Sequence, residues 1–211
     1  MKVHMGLFRT ALVSVPQYFE FVFMEELLNY LRQFEAIEPD GERILRGYAR
    51  EIVIPQYEIL LEHGQIPDDI GFVASGVLSV TIHRADGSEA ISHFMVPGDF
   101  IVDVNDFKCR RAVRGINQAV IDSRIVFFNR EAISRLSESI PYWDDMWRKV
   151  ANRTLIDKVK KRAPSSKPDA RSRYAAFNEQ YPGLADTIPR YIVASYLDVN
   201  AATLSRVRDR K

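Results

Sequence analysis

Near the end of this 211-residue chain, seven residues have the types and spacing of a surface that grips phosphates and base edges: Arg190, Asn200, Thr203, Ser205, Arg206, Arg208 and Arg210. Arginine can hold a guanine edge through two parallel hydrogen bonds, while serine, threonine and flanking arginines hold phosphate oxygens. That is the chemistry of double-stranded DNA recognition. Two short helices would have to present it. Ile192, Val193 and Leu197 recur at helical spacing, Asp198 and Val199 interrupt them, and Asn200 is a good N-cap for a second helix. Leu204 and Val207, three apart, face the first helix and leave Ala202, Ser205, Arg206 and Asp209 on the opposite side. An ordinary helical hairpin with a solvated polar face has the same pattern, and pattern alone fits both.

Other chemistries find no support in the residues. A β-roll carrying His and Glu can be a metal-dependent enzyme, but its ligands must converge on one point. There is no His-x-His pair, and His83 and His93 point in opposite directions under the hairpin register expected below, so neither a metal nor another cofactor is expected. Nothing sets a nucleophile beside a base, and no enzyme is expected. A single cysteine, Cys109, excludes an internal disulfide framework and an iron–sulfur cluster, and an inert thiol in a reducing cytoplasm is the expectation.

The elements that position the basic tip come from the rest of the chain. With 46% hydrophobic residues it can bury a sizeable core, and no apolar run approaches the ~18 residues of a membrane span, so no membrane partner is expected. From Tyr142 onward there are 15 Lys and Arg against 8 Asp and Glu, a net of +7; upstream there are 14 against 20, or −6. A basic part following an acidic one fits nucleic-acid binding confined to one domain. Residues 1–23 have a basic start and apolar patches, but Arg9, Pro16 and Glu20 break the run, which argues against a signal peptide and leaves an N-terminal extension.

Residues 24–33 read as an amphipathic helix with Leu27, Leu28 and Leu31 on one side, and a second helix is expected around 40–48. From about 50 to 129 the period turns alternating, as a β-sandwich or roll requires. The clearest hairpin is Val77 to Val96. A two-residue turn at Asp86-Gly87 would set Ile82 opposite Ile91, Val80 opposite His93 and Leu78 opposite Met95, all six on the inner face. A short helix over 129–136 precedes a long one opened by Pro141, on which Ile140, Trp143, Trp147, Val150 and Thr154 form a coiled-coil-like seam. Ala163 to Pro168 is rich in turn residues and reads as a hinge. A further helix over 169–180 has Tyr174 and Phe177 as packing anchors.

The tip, through Tyr191-Ile192, Ala194-Ser195-Tyr196-Leu197 and Thr203-Leu204-Ser205-Arg206, resembles the helix-turn-helix of the Crp/Fnr superfamily of bacterial transcription regulators, in particular a group common in Bacteroidetes-type bacteria. The resemblance extends over about 24 to 211. It implies an α+β fold: a cyclic-nucleotide-binding-like jelly roll (an antiparallel β-roll) over 24–140, a long dimerisation helix over 141–163 that makes a homodimer, and a small DNA-binding domain over 164–211. Gly76, the Asp86-Gly87 turn and Gly98-Asp99-Phe100 fall at the spacings of that sensor roll. Members that bind cyclic AMP have Gly-Glu and then Arg-Ser or Arg-Thr in their phosphate cassette; Val102-Asp103 and Val113-Arg114 stand there in this chain. Val102 puts a branched side chain where backbone N–H groups should approach a phosphate, so tight cyclic-AMP binding is not expected. His93, Asp103, Arg110, Arg111 and Arg114 remain as candidate residues for a small-molecule effector of another kind. Ala201-Ala202 replace longer polar residues at the reading helix. The alternative to a sequence-specific regulator is therefore a ligand-responsive interaction module that has lost sequence-specific DNA binding.

Overall fold

The computed structural model describes residues 22–102, 104–161 and 169–209. Most of the 1–23 extension, the 163–168 hinge, Asp103, Arg210 and Lys211 lie outside them. Two helices, α1 (Val22–Leu31) and α2 (Pro39–Tyr48), precede the strands β1 (Arg50–Ile54), β2 (Ile59–Leu61), β3 (Asp69–His83) and β4 (Glu89–Met95). A short α3 (Val104–Lys108), the long β5 (Ile116–Asn129), α4 (Arg130–Ser139) and α5 (Trp143–Lys160) follow. The described chain ends in α6 (Ala170–Gln180), α7 (Leu184–Thr187), α8 (Arg190–Tyr196) and α9 (Ala201–Asp209). The strands pair antiparallel in the order β1-β5-β3-β4, with β2 also on β5. The expected architecture, an antiparallel roll of jelly-roll type with flanking helices, is present.

Side-chain caps start three of the helices. Asn129 Oδ1 accepts from the Ala132 N–H at 2.7 Å, Asp169 Oδ1 from Ser172 at 2.8 Å and Asn200 Oδ1 from Thr203 at 2.8 Å. β3 bends at Gly76, whose φ of +95° and closeness to β5 both exclude a side chain: a Cβ there would come within 2.4 Å of Ser123 Cα. Ser123 Oγ accepts from the Val77 N–H at 3.0 Å and donates to the Ile121 carbonyl at 2.8 Å across this irregularity.

The hairpin departs from expectation at its tip. Leu78 pairs with Met95 and Val80 with His93 as the alternation indicates, but Thr81 pairs with Ile91 and Ile82 with Ala90. The Gly87 N–H donates to the Arg84 carbonyl at 3.0 Å, with Gly87 left-handed, so the turn holds three residues, 85–87. Ser92 is then extra in β4 and restores the register. The bulge also turns Ile91 to the other face of the sheet.

Two cores result. Inside the roll, α1, α4 and α5 cover Leu28, Ile70, Phe72, Leu78, Ile125 and Leu136, all at most 2% exposed. The seam read on α5 suits either a partner helix or packing on the roll, and over its first half it packs on the roll: Ile140, Trp143 and Val150 are buried there, with Trp143 and Trp147 stacked at 5.1 Å and Trp147 edge-on to Phe100 at 5.6 Å. Periodicity identifies an apolar face but not what covers it. Beyond Ala151 the helix instead exposes Leu155, Ile156 and Val159, at 46, 52 and 64%.

On the outer face of β3, β4 and β5, Val77, Ile91, Phe94 and Val120 share a second core with α6, α8 and α9. Phe94 lies 5.2 Å from Tyr196 and 5.5 Å from Tyr181, and Phe177 lies 5.4 Å from Tyr196. The Phe94 N–H donates to the Tyr181 hydroxyl at 3.1 Å, and that hydroxyl donates to the Lys161 carbonyl at 3.2 Å. One phenol thus fixes the roll, the end of α5 and α6 together.

Burial pushes the Tyr30 and Tyr196 hydroxyls from their ordinary 10.0 up to about 12 and raises Tyr181 as well. A folded pKa above the unfolded value means stability that is whole below pH 10 and is lost as pH rises towards 12. Alkaline unfolding is therefore expected in that window. Ultraviolet difference spectroscopy should show the ionisation of these buried phenols coinciding with loss of circular dichroism; their titration in a still-folded chain would contradict it.

Candidate functional site

The basic tip stands on the second core. The α8–α9 turn passes through Asp198, left-handed at φ 53°, a conformation Asp tolerates better than most residues. Its carboxylate lies 3.6 Å from Arg84 Nη1 at the tip of the β3–β4 hairpin. Leu204 is buried under α8, as expected, and Val207 is half-buried beside it. Arg190, Asn200 and Arg206 are exposed, while Thr203 and Ser205 are half-buried. Neither Arg190 nor Arg206 has a hydrogen-bonded or ionic partner among the described residues. Arg208 does: Nη1 donates to the Ala185 carbonyl at 2.9 Å and Nη2 to Asp186 at 2.7 Å, leaving a side chain only 20% exposed. It braces α9 on α7, a helix that the sequence pattern does not reveal.

The effector candidates are not brought together. His93 is half-buried in β4, its Nδ1 3.3 Å from Ser92 Oγ. Arg110, left-handed at φ 54°, and Arg111 are exposed beyond α3, with Arg111 Nη1 3.4 Å from Asp106. Arg114 is exposed on the far side of that loop, where its carbonyl lies 3.0 Å from His63 Nδ1. Asp103 lies outside the described residues. Val102 is 3% exposed, its branched side chain packed into the roll.

A cavity of about 360 Å³ does open in the roll, elsewhere. Leu60, Leu61, Ile101, Val102 and Phe127 form its apolar part, and Arg50, Gln65, Asp68, Asp69 and Asn129 its polar part. None of His93, Arg110, Arg111 or Arg114 lines it. The sheet order assembles it: Arg50 on β1 and Gly71 on β3 both pair with Phe127, on opposite sides of β5, and Asp69 pairs with Asn129. Arg50 Nη2 donates to Asp69 Oδ1 at 2.6 Å. Sequence reasoning misses this site because its members are separated by up to 79 positions (50 to 129) and share no periodicity.

Residues 51–139 match the cyclic nucleotide-binding domain. Solved structures with this cyclic-nucleotide-binding-like fold include FixK2 from Bradyrhizobium japonicum (TM-score 0.56, 17% identity, covering 77% of this chain and 83% of that one). Others are the catabolite activator protein of Thermus thermophilus (0.51, 17%, 85% and 85%) and a cyclic nucleotide-binding domain from Methylobacillus flagellatus (0.55, 15%, 79% and 85%). At these identities the likeness is one of fold. No curated protein matches the chain. The cyclic-nucleotide-binding-like domain thus has Crp/Fnr-type regulators among its structural neighbours. Among the described residues, no group of three or more His, Cys, Asp or Glu is placed to hold a metal ion, and no helix is long and apolar enough to cross a membrane.

Proposed function

We propose that the chain is a homodimeric, DNA-binding transcriptional regulator of the Crp/Fnr type, in which α8, its turn and α9 act as the helix-turn-helix. The observation that carries this reading is Arg206, exposed and without a partner among the described residues, on a helix already capped by Asn200 and buttressed by Leu204. Arg206 reads a base edge; Arg190, Asn200, Thr203 and Ser205 lie on or near phosphates, and Arg210, next along the chain, adds charge. Arg208 joins them only by giving up Asp186. The pairing surface is the exposed end of α5, which holds two tips about one DNA turn apart. The protein works in the cytoplasm and does not bind cyclic AMP tightly, because the cassette presents Val102 and its arginines do not line the cavity.

Selection from a random duplex library at several salt concentrations tests this, and a two-fold symmetric motif is expected. Arg206→Ala should cost about 1–3 kcal/mol on the cognate site and relax preference at one base pair. Arg190→Ala should weaken all sequences equally and reduce the salt slope by about 1. Ala201 and Ala202, both exposed at the start of α9 and unable to bond base edges, favour the second reading, an interaction module without sequence preference. Uniform weak binding with no enriched motif would decide for it.

A further inference from the structure

We propose that the cavity at the Arg50–Asp69 end of the roll binds a small molecule with an apolar body and a cationic, hydrogen-bond-donating head: an aryl or alkyl amine. The volume, about 360 Å³, is at the small end of ligand pockets, and five apolar side chains form one part of the wall. Among the described residues, two carboxylates and one guanidinium form the charged part. The guanidinium of Arg50 is already bound to Asp69, so a ligand meets the remaining carboxylate, Asp68, which has no ion-pair partner among the described residues. Arg130 donates to the carbonyls of Pro67 and Phe107 at 2.8 and 2.7 Å and is not part of the lining. An anion entering here would face Asp68, with no free cation on the wall among the described residues. An amine would pair with it, and its apolar body would displace water from Leu61, Ile101 and Phe127.

The place has a route outward. Ile101 and Val102 follow directly on Phe100, whose ring packs on Trp147 of α5, so an occupant touches the segment that leads to the proposed pairing helix. The inference concerns the cavity and does not depend on α9 contacting DNA.

The test uses the full chain with three probes at millimolar concentration: 2-phenylethylamine, 3-phenylpropionate and cyclic AMP. The amine is expected to raise the melting temperature, to give millimolar affinity by calorimetry, and to shift the methyl NMR signals of Leu61, Ile101 and Val102. Asp68→Asn, at an exposed position, should weaken the amine about fivefold while leaving the melting temperature of the free chain unchanged. Failure of the amine to bind, equal binding of the carboxylate, methyl shifts elsewhere, or an amine affinity untouched by Asp68→Asn overturns the proposal. A chain that binds the amine but enriches no DNA motif leaves this site standing and removes the regulator reading; a chain that enriches a motif but ignores the amine does the reverse.

Discussion

Phe177→Ala should cost about 3–5 kcal/mol, a large share of what holds a domain of this size together. The ring is fully buried between Phe94 of β4 and Tyr181 and Tyr196 of the C-terminal helices, and removing it opens a void that those three rings can close only by parting. Because the second core spans roll and C-terminal helices, the loss should not stay local. Hydrogen exchange is expected to speed up together in α8, α9 and β4 residues 91–95, while α1 and residues 125–128 of β5, which belong to the other core, keep their protection. Phe177→Leu, which keeps most of the volume, should cost far less. If exchange quickens in α6 to α9 alone and β4 is untouched, the C-terminal helices are an independent unit, and the aromatic cluster does not join them to the roll.

Why this cluster was hard to foresee shows what the sequence carries. Tyr174 and Phe177 are recognisable packing anchors, but their partner is the outer face of a strand whose expected register put Ile91 inside. The error comes from two backbone irregularities that cancel. Gly87 lengthens the turn by one residue and Ser92 takes it back, so Leu78, Val80, His93 and Met95 keep the pairing that alternation gives, while Ile91 changes sides. Local chemistry was legible where one side chain governs it: Asn200 caps the helix it precedes and Asp198 supplies the left-handed turn, while Asn129 and Asp169, read only as helix starts, act as caps as well. Non-local pairing was not. Arg50, Asp69 and Phe127 meet only because β1 and β3 flank β5, and Arg208 finds Asp186 only because an unforeseen α7 lies under α9.

α5 poses the same problem, and its solution leads to the largest effect expected of any substitution here. Its first half turns Trp143, Met146 and Val150 into the roll. After Ala151 the roll no longer covers it, and Leu155, Ile156 and Val159 continue at three- and four-residue spacing into solvent, with Arg153 and Asp157 paired at 2.7 Å beside them. Three large apolar side chains on one exposed stripe suit burial against the same stripe of a second copy about a two-fold axis, where each residue lies near its own counterpart. Burying one isoleucine contributes about 1.5–3 kcal/mol, and symmetry counts it twice, so Ile156→Asp should weaken the proposed dimer by about 3–6 kcal/mol, or roughly a hundredfold to ten-thousandfold or more. Two facing carboxylates add to the loss. Sedimentation equilibrium should show a monomer at micromolar concentration with unchanged circular dichroism, since the position is half exposed in the single chain, and affinity for a two-fold DNA site should fall to that of one half-site. Ile156→Leu should remain dimeric. A variant that still sediments as a dimer would move the pairing surface off this stripe, and an unaltered chain that is monomeric would remove the pairing altogether.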